Sequence, residues 1–253
     1  MTVKKIFFYC FMTNILVMVQ PIMAEKNKRK LIFTTLNGLT FPKIGEKIMQ
    51  EAYRRLGNIK INVVEEPAAR ALVSANSGRV DGELARIKSL SSKLNNLIRI
   101  STLIMEFDIV CFVKSRSINI YNIDSLMSYR VGVQRGYVQV EKISKDIQDR
   151  ELVTNNDSLF KMLEHGRLDI VITDRVNGEM TLEKFGFKDI RAVGPALGTL
   201  PLFHYLHKKN IHYVKKLERV LKQMKREGVI KKITKETIVN LKNEIRDKRM
   251  KLI

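Results

Sequence analysis

The sequence is 253 residues long and strongly basic, with 46 Lys or Arg against 26 Asp or Glu and a net charge of +20. Such a charge invites a nucleic-acid reading, but Lys208 to Ile253 alone holds 16 basic and 5 acidic residues, so the excess sits in one helical tail and reads as a solvated basic face or a surface for an acidic partner or anionic lipid. Of the two cysteines, Cys10 lies in an amino-terminal apolar run; once that run is removed, Cys111 has no intramolecular disulfide partner and the fold must rest on its core.

Residues 1–24 have the form of a secretory signal. Lys4 and Lys5 precede a mostly apolar run from Ile6 to Val19, and Pro21-Ile22-Met23-Ala24 ends on a small residue. The run is short for a spanning helix, which needs about 20 apolar residues. Cleavage after Ala24 is expected, leaving 229 residues, enough for one large or two small cores. Export without disulfides points to the periplasm of a Gram-negative bacterium.

The first strand is expected at "KLIFTTL". A helix follows, with Pro42 in its first turn, Ile44, Ile48, Met49, Ala52 and Leu56 on one stripe, and Gly57 at its end. "IKINVV" is a second strand. Pro67 opens a second helix that turns Ala68, Ala71, Leu72 and Ala75 inward, Gly78 closes it, and a third strand starts near Val80. "LIRI" and "IVCFVK" follow, with Cys111 read as a buried, inert thiol.

"YRVGV" begins a second series: strand, a turn at Gln134 to Gly136, helix, and a strand near "RELVT". Asn155 to Ser158 then cap a helix bearing Leu159, Met162 and Leu163, and "LDIVITD" is the next strand. The last segment carries Val214, Leu217, Val220, Leu221 and Met224 at helical spacing, and a second helix is expected over Lys231 to Arg249. Alternating strands and helices of this kind predict an α/β fold on mainly parallel sheets.

Two phrases repeat. "SGRVDGELAR" (Ser77 to Arg86) and "HGRLDIVITDR" (His165 to Arg175) place Gly, Arg, an aliphatic residue and Asp in the same order, at the same junction of helix end and strand start. The repeat implies two similar lobes, with Arg79, Asp81, Arg167 and Asp169 serving turn chemistry. Ligands of open parallel sheets bind beyond the carboxyl ends of the strands. Five residues past each Asp stand Arg86 and Asp174, a cation in one lobe and an anion in the other. Facing each other across a cleft they would form a clamp for a zwitterion; read singly, each is a loop charge paired locally. Around Arg135, Gly136 and Tyr137 the strand-to-helix turn offers backbone N–H groups to an anion, or is an ordinary turn.

The succession "EPAARALVSANSGRVDGELAR", "YRVGVQRGY", "LFKMLEHGRLDIVITD" and "LPLFHYLHKKN" resembles the bacterial extracellular solute-binding proteins of family three, the polar amino acid type, and most of all their stand-alone members. The resemblance covers essentially all of the mature chain. It implies the type II periplasmic binding fold, with a ligand cleft between lobes assigned to residues 25–112 plus 198–253, and to 113–197. It also implies that Arg86 binds an α-carboxylate and Asp174 an α-amino group. The sequence departs from the family in having Tyr137 where a hydroxyl residue is frequent, and Gly82-Glu83-Leu84-Ala85 in place of a Thr-rich lead into Arg86.

The implied function is capture of a small polar ligand, an amino acid or related carboxylate, by a monomer that feeds an ATP-driven permease. Glu83 is counted with Arg86, Asp174, Arg135, Gly136 and Tyr137 among the candidate ligand-binding residues; a membrane sensor role is the alternative, and a dehydratase of cyclohexadienyl acids, for which Glu83 beside Arg86 could be misread as the general acid, is the less favoured one. No cofactor is expected. His204, His207 and His212 lack a completing ligand set, so no metal is expected either.

Overall fold

The computed structural model describes residues 30–88 and 94–251; the expected signal segment lies outside them. Strands β1 (Lys30–Leu36), β2 (Lys60–Glu66) and β3 (Gly82–Arg86) alternate with helices α1 (Phe41–Gly57) and α2 (Ala68–Asn76). Two residues that end α1 share the work of leaving it: Gly57 is its last residue, and Asn58 takes the left-handed conformation at φ +57°. On α1 the expected stripe is buried at Ile44, Ile48, Met49 and Ala52, each large side chain contributing about 1.5–3 kcal/mol on burial.

A long strand β4 (Leu97–Val113) absorbs both apolar segments that the sequence suggested separately. Then come β5 (Val131–Gln134), α3 (Val138–Ile143), β6 (Arg150–Val153), α4 (Asn156–Glu164), β7 (Ile170–Asp174) and α5 (Arg175–Phe185). As expected, Asn155 caps α4, its side chain accepting from the Ser158 N–H. A second long strand, β8 (Arg191–His207), leads to α6 (Ile211–Arg226) and α7 (Val229–Met250).

The eight strands lie in the order β2-β1-β3-β8-β4-β7-β5-β6. β1 pairs in parallel with β2 and β3, and β5 in parallel with β6 and β7. Between these two parallel units run β8 and β4, antiparallel to each other from Leu97↔His207 to Val113↔Arg191. β8 joins β3 at Gly82↔Leu206 through Arg86↔Phe203, and β4 joins β7 over Ile109–Val113. The two halves thus repeat one pattern: β1, β2, β3 and β8 correspond to β5, β6, β7 and β4. The changeovers expected after Phe112 and Leu197 fall inside these continuous strands.

The Gly-Arg-x-Asp phrases occupy equivalent places. Gly78 and Gly166 adopt φ +78° and +67°, the left-handed turn that a side chain resists. The aspartates reach further than their own turns. Asp81 Oδ2 accepts from the Ile32 N–H at 2.8 Å while its own N–H donates to the Ile32 carbonyl at 2.7 Å. Asp169 does the same with Arg130, at 3.0 and 2.9 Å. Each Asp therefore clamps the start of the neighbouring central strand, fixing the register of β3 on β1 and of β7 on β5.

The basic tail is mostly a solvated face, as its composition suggested, with one seam engaged. Lys242 pairs with Glu179 at 2.7 Å and Arg246 with Glu183 at 2.9 Å, so α7 is tied to α5 while also packing on α1. Among the described helices none is long and apolar enough to cross a membrane.

Replacing Asp81 by Ala should lower unfolding free energy by about 2–3 kcal/mol, and Asp169 by Ala by about 1.5 kcal/mol, since each removal strands strand-start amides that a charged group held. Asp81 is set higher because its carboxylate is the more buried of the two and also accepts from Asn210 Nδ2 at 3.0 Å, whereas the further partner of Asp169 is the half-exposed Arg130 guanidinium, a surface pair of small net worth. Urea denaturation of both variants checks the values and the order.

Candidate functional site

The carboxyl ends of the parallel strands converge on a cavity of 210 Å³ between the two units. From the first unit come the loop after β1 (Leu36, Asn37, Leu39), the start of α2 (Pro67, Ala68) and the end of β3 (Ala85, Arg86). From the second come the β5–α3 turn (Gln134 to Gln139) and Thr154 after β6, while β8 supplies Leu200 and Leu202 from below. This is the place that strand polarity dictates, because loops and helix starts gather there.

Arg86 is the last residue of β3, with a buried side chain that still lines the cavity. Its Nε donates to Glu83 Oε1 and one Nη donates to the Ala68 carbonyl at 2.9 Å. A guanidinium has five N–H donors in a planar fork, so part of its edge is left for the cavity. Glu83, expected among the ligand-binding residues, instead stands behind Arg86, fully buried and away from the cavity wall. Burial pushes the Glu83 carboxyl up to about 7 against the pull of Arg86, and the same burial lowers Arg86 from its ordinary range. Burial outweighs attraction on both partners, the usual balance for a dry ion pair.

Asp174 is the last residue of β7, as Arg86 is of β3, but it does not line the cavity. Its Oδ1 accepts from the Asn177 N–H at 2.8 Å, capping α5, and its Oδ2 accepts from the Tyr137 hydroxyl at 2.8 Å. Burial raises its carboxyl above the ordinary Asp value. Tyr137 lies between Asp174 and the cavity. Arg135 and Gly136 line the wall beside it. The Gly136 N–H is engaged by Glu141 Oε1 at 2.6 Å and the Tyr137 N–H by the Gln134 carbonyl, which differs from the open N–H groups expected of this turn.

Several contributors were not singled out from sequence. Thr40, between β1 and α1, donates its hydroxyl to Asn177 Oδ1 at 3.2 Å, a direct contact between the two units. Asn37, Gln134, Gln139 and Thr154 add neutral polar groups to the wall. Thr40 and Asn177 carry no pattern of their own, and only the fold brings them together.

The remaining candidates are structural. His204 sits in the core, between the Tyr53 hydroxyl on Nε2 and the Leu84 carbonyl on Nδ1, each at 3.0 Å, so Nδ1 carries the proton and Nε2 accepts. Burial lowers its pKa to about 4. Among the described residues no three His, Cys, Asp or Glu gather as a metal site. Cys111 is buried and its thiol is pushed up to about 12.

No protein-family profile matches the chain. A protein of Shewanella oneidensis described as uncharacterized is 29% identical over 197 residues, covering 75% of this chain and 74% of its own length. Among solved structures, the chain is similar to an amino acid ABC transporter substrate-binding protein of Streptococcus pneumoniae bound to L-arginine (TM-score 0.67, 18% identity, 85% of this chain and 97% of the other). It is similar as well to a histidine kinase sensor domain with similarity to periplasmic binding proteins (TM-score 0.68, 13% identity, 82% and 95%). The chain has the two-lobed periplasmic-binding fold. In that fold the cavity described above is the cleft between lobes, and Arg86 and Tyr137 face it from opposite lobes.

The buried carboxyl of Glu83 has a pH signature. A raised folded pKa means that the folded state holds a proton between pH 4.5 and about 7 that the unfolded chain has released, so this group contributes less stability as pH rises through that window. His204 works in the opposite sense between about 4 and 6.5, because its folded pKa is depressed. Comparison with Glu83→Gln isolates the contribution of Glu83. The melting temperature of the wild type minus that of Glu83→Gln should be higher at pH 5.5 than at pH 8; a difference independent of pH would show that Glu83 is ionised throughout.

Proposed function

We propose that the chain is a solute-binding protein that closes its two lobes, residues 25–112 with 198–253 and residues 113–197, around a small carboxylate-bearing ligand in the periplasm. The observation that carries this reading is the cavity between the lobes with the Arg86 guanidinium in its wall, an arrangement suited to paired hydrogen bonds with a carboxylate. A volume of 210 Å³ lies below the range of about 300–1,000 Å³ typical of drug-sized ligands, which fits a small metabolite.

Binding is favoured over dehydration chemistry by what lines the cavity. Among its described lining residues there is no Asp, Glu, His, Cys or Lys, and Glu83 stands behind Arg86 instead of facing a substrate. General acid–base work needs such a group within hydrogen-bond reach, and the one further candidate in the wall, the Tyr137 hydroxyl, is committed to Asp174 and pushed well above its ordinary pKa by burial. The output is delivery to an ATP-driven permease, or signalling through a membrane sensor; the likeness to a sensor domain supports keeping the second.

A thermal-shift screen of amino acids and organic anions tests the reading. A ligand at 100 times its dissociation constant adds about 2.7 kcal/mol, a rise of roughly 5–10 °C for a chain of this size. Arg86→Gln should abolish the rise caused by any carboxylate that gives one. Should that buried substitution prevent folding, the exposed Arg135→Ala should still reduce it. Absence of any shift from a cooperatively folded wild type would contradict the proposal.

A further inference from the structure

Resting on the solute-binding reading, we infer that the cavity selects organic carboxylates that lack an ammonium group, and that Tyr137 sets this preference. An α-ammonium group leaving water needs an anionic acceptor, because an unpaired buried charge costs several kcal/mol. The lobe-two candidate is Asp174, and each of its oxygens already has an internal donor that turns it from the cavity: Oδ1 accepts from the Asn177 N–H and Oδ2 from the Tyr137 hydroxyl. The carboxylate is 2% exposed and Tyr137 covers it on the cavity side.

Nothing else in the described wall replaces it. The two ionised side chains that line the cavity are Arg86 and Arg135, both cationic. The undescribed residues that follow Lys88 are Ser89, Leu90, Ser91, Ser92 and Lys93, which carry no carboxylate. Glu141 does not line the cavity and has its Oε1 on the Gly136 N–H at 2.6 Å, so an ammonium group bound here would meet two guanidinium groups and no carboxylate in the described wall.

The neutral polar groups point to the same ligand class. Gln134 lines the cavity, and its Oε1 is buried without a partner. A neutral acceptor of this kind is matched by a hydroxyl or amide donor on the ligand, or by a water beside it. Leu36, Leu39, Phe41 and Leu200 supply apolar contact for the ligand body. The ligand class is therefore a small carboxylate with an apolar body, with Gln134 free to accept from a donor substituent or a water.

The test uses matched pairs that differ only in the ammonium group: isocaproate and L-leucine, hydrocinnamate and L-phenylalanine, glutarate and L-glutamate, each titrated calorimetrically into the full mature chain. At least one pair should show the member without an ammonium group binding tenfold tighter or more. Amino acids binding as tightly as their partners, or more tightly, would overturn the inference and leave the solute-binding reading standing. Silence from all six, together with no response in the wider screen, would overturn both. In Tyr137→Phe, which frees Asp174 Oδ2 while keeping the ring, the preference should fall at least threefold. An unchanged preference in a variant of wild-type circular dichroism would remove Tyr137 as its source and overturn the assignment.

Discussion

The pairing of β4 with β8 is the constraint on which the rest of the molecule depends. Two antiparallel strands of 17 residues each run through both lobes, and every other strand is attached to one side or the other of that pair. Parallel units hung on opposite edges of an antiparallel pair bring the carboxyl ends of both to the same cleft. The pairing is irregular at its middle, with register shifts between Leu103 and Met105 and between Ile109 and Cys111. β8 carries Pro195 and Pro201 in the same region, residues that a strand paired on both sides would not accept. They are tolerated because β3 pairs with β8 only beyond them, from Phe203 onward. A bend between lobes would be taken up there, in the two strands at once.

The back of the cleft is held by a different kind of interaction. α7 packs on α1 of the first lobe and reaches α5 of the second through Lys242–Glu179 and Arg246–Glu183. Partly exposed pairs of this sort contribute only about 0–1 kcal/mol each and are screened by salt. Their effect is on geometry: they place α5, and immediately before its first residue stands Asp174. That residue caps the helix, holds Tyr137 in the cavity wall, and is linked through Asn177 to Thr40 of the first lobe. One buried carboxylate thus joins helix placement, wall shape and contact across the cleft.

Much of the fold was legible in the sequence because burial wrote it there with the right period. The stripe on α1, the Asn155 cap and the long apolar core strands all follow local rules, and the Gly-Arg-x-Asp repeat announced the twofold pattern of lobes. α5 was missed because it buries Asn177, Gly178 and Thr181 beside Met180, and Gly178 is there to admit the Phe112 ring. A helix that packs small and polar residues leaves no apolar stripe to read. In the site, the positions of Arg86 and Asp174 at equivalent strand ends were legible from the repeat, and their surroundings were not. Whether Arg86 faces a ligand or Glu83, and whether Asp174 faces a ligand or Tyr137, depends on contacts three and 37 residues away in sequence. Spacing gives the strand end, and packing decides which way its side chain is used.

The account turns on a carboxylate being held between the lobes by Arg86 while Asp174 stays closed behind Tyr137. A crystal structure of residues 25–253 with the tightest carboxylate from the matched pairs tests this most directly. The account predicts a ligand carboxylate on the Arg86 guanidinium at about 2.8 Å, with the Tyr137 hydroxyl still donating to Asp174. A carboxylate bound away from Arg86, or Asp174 turned from Tyr137 to the ligand, would contradict it.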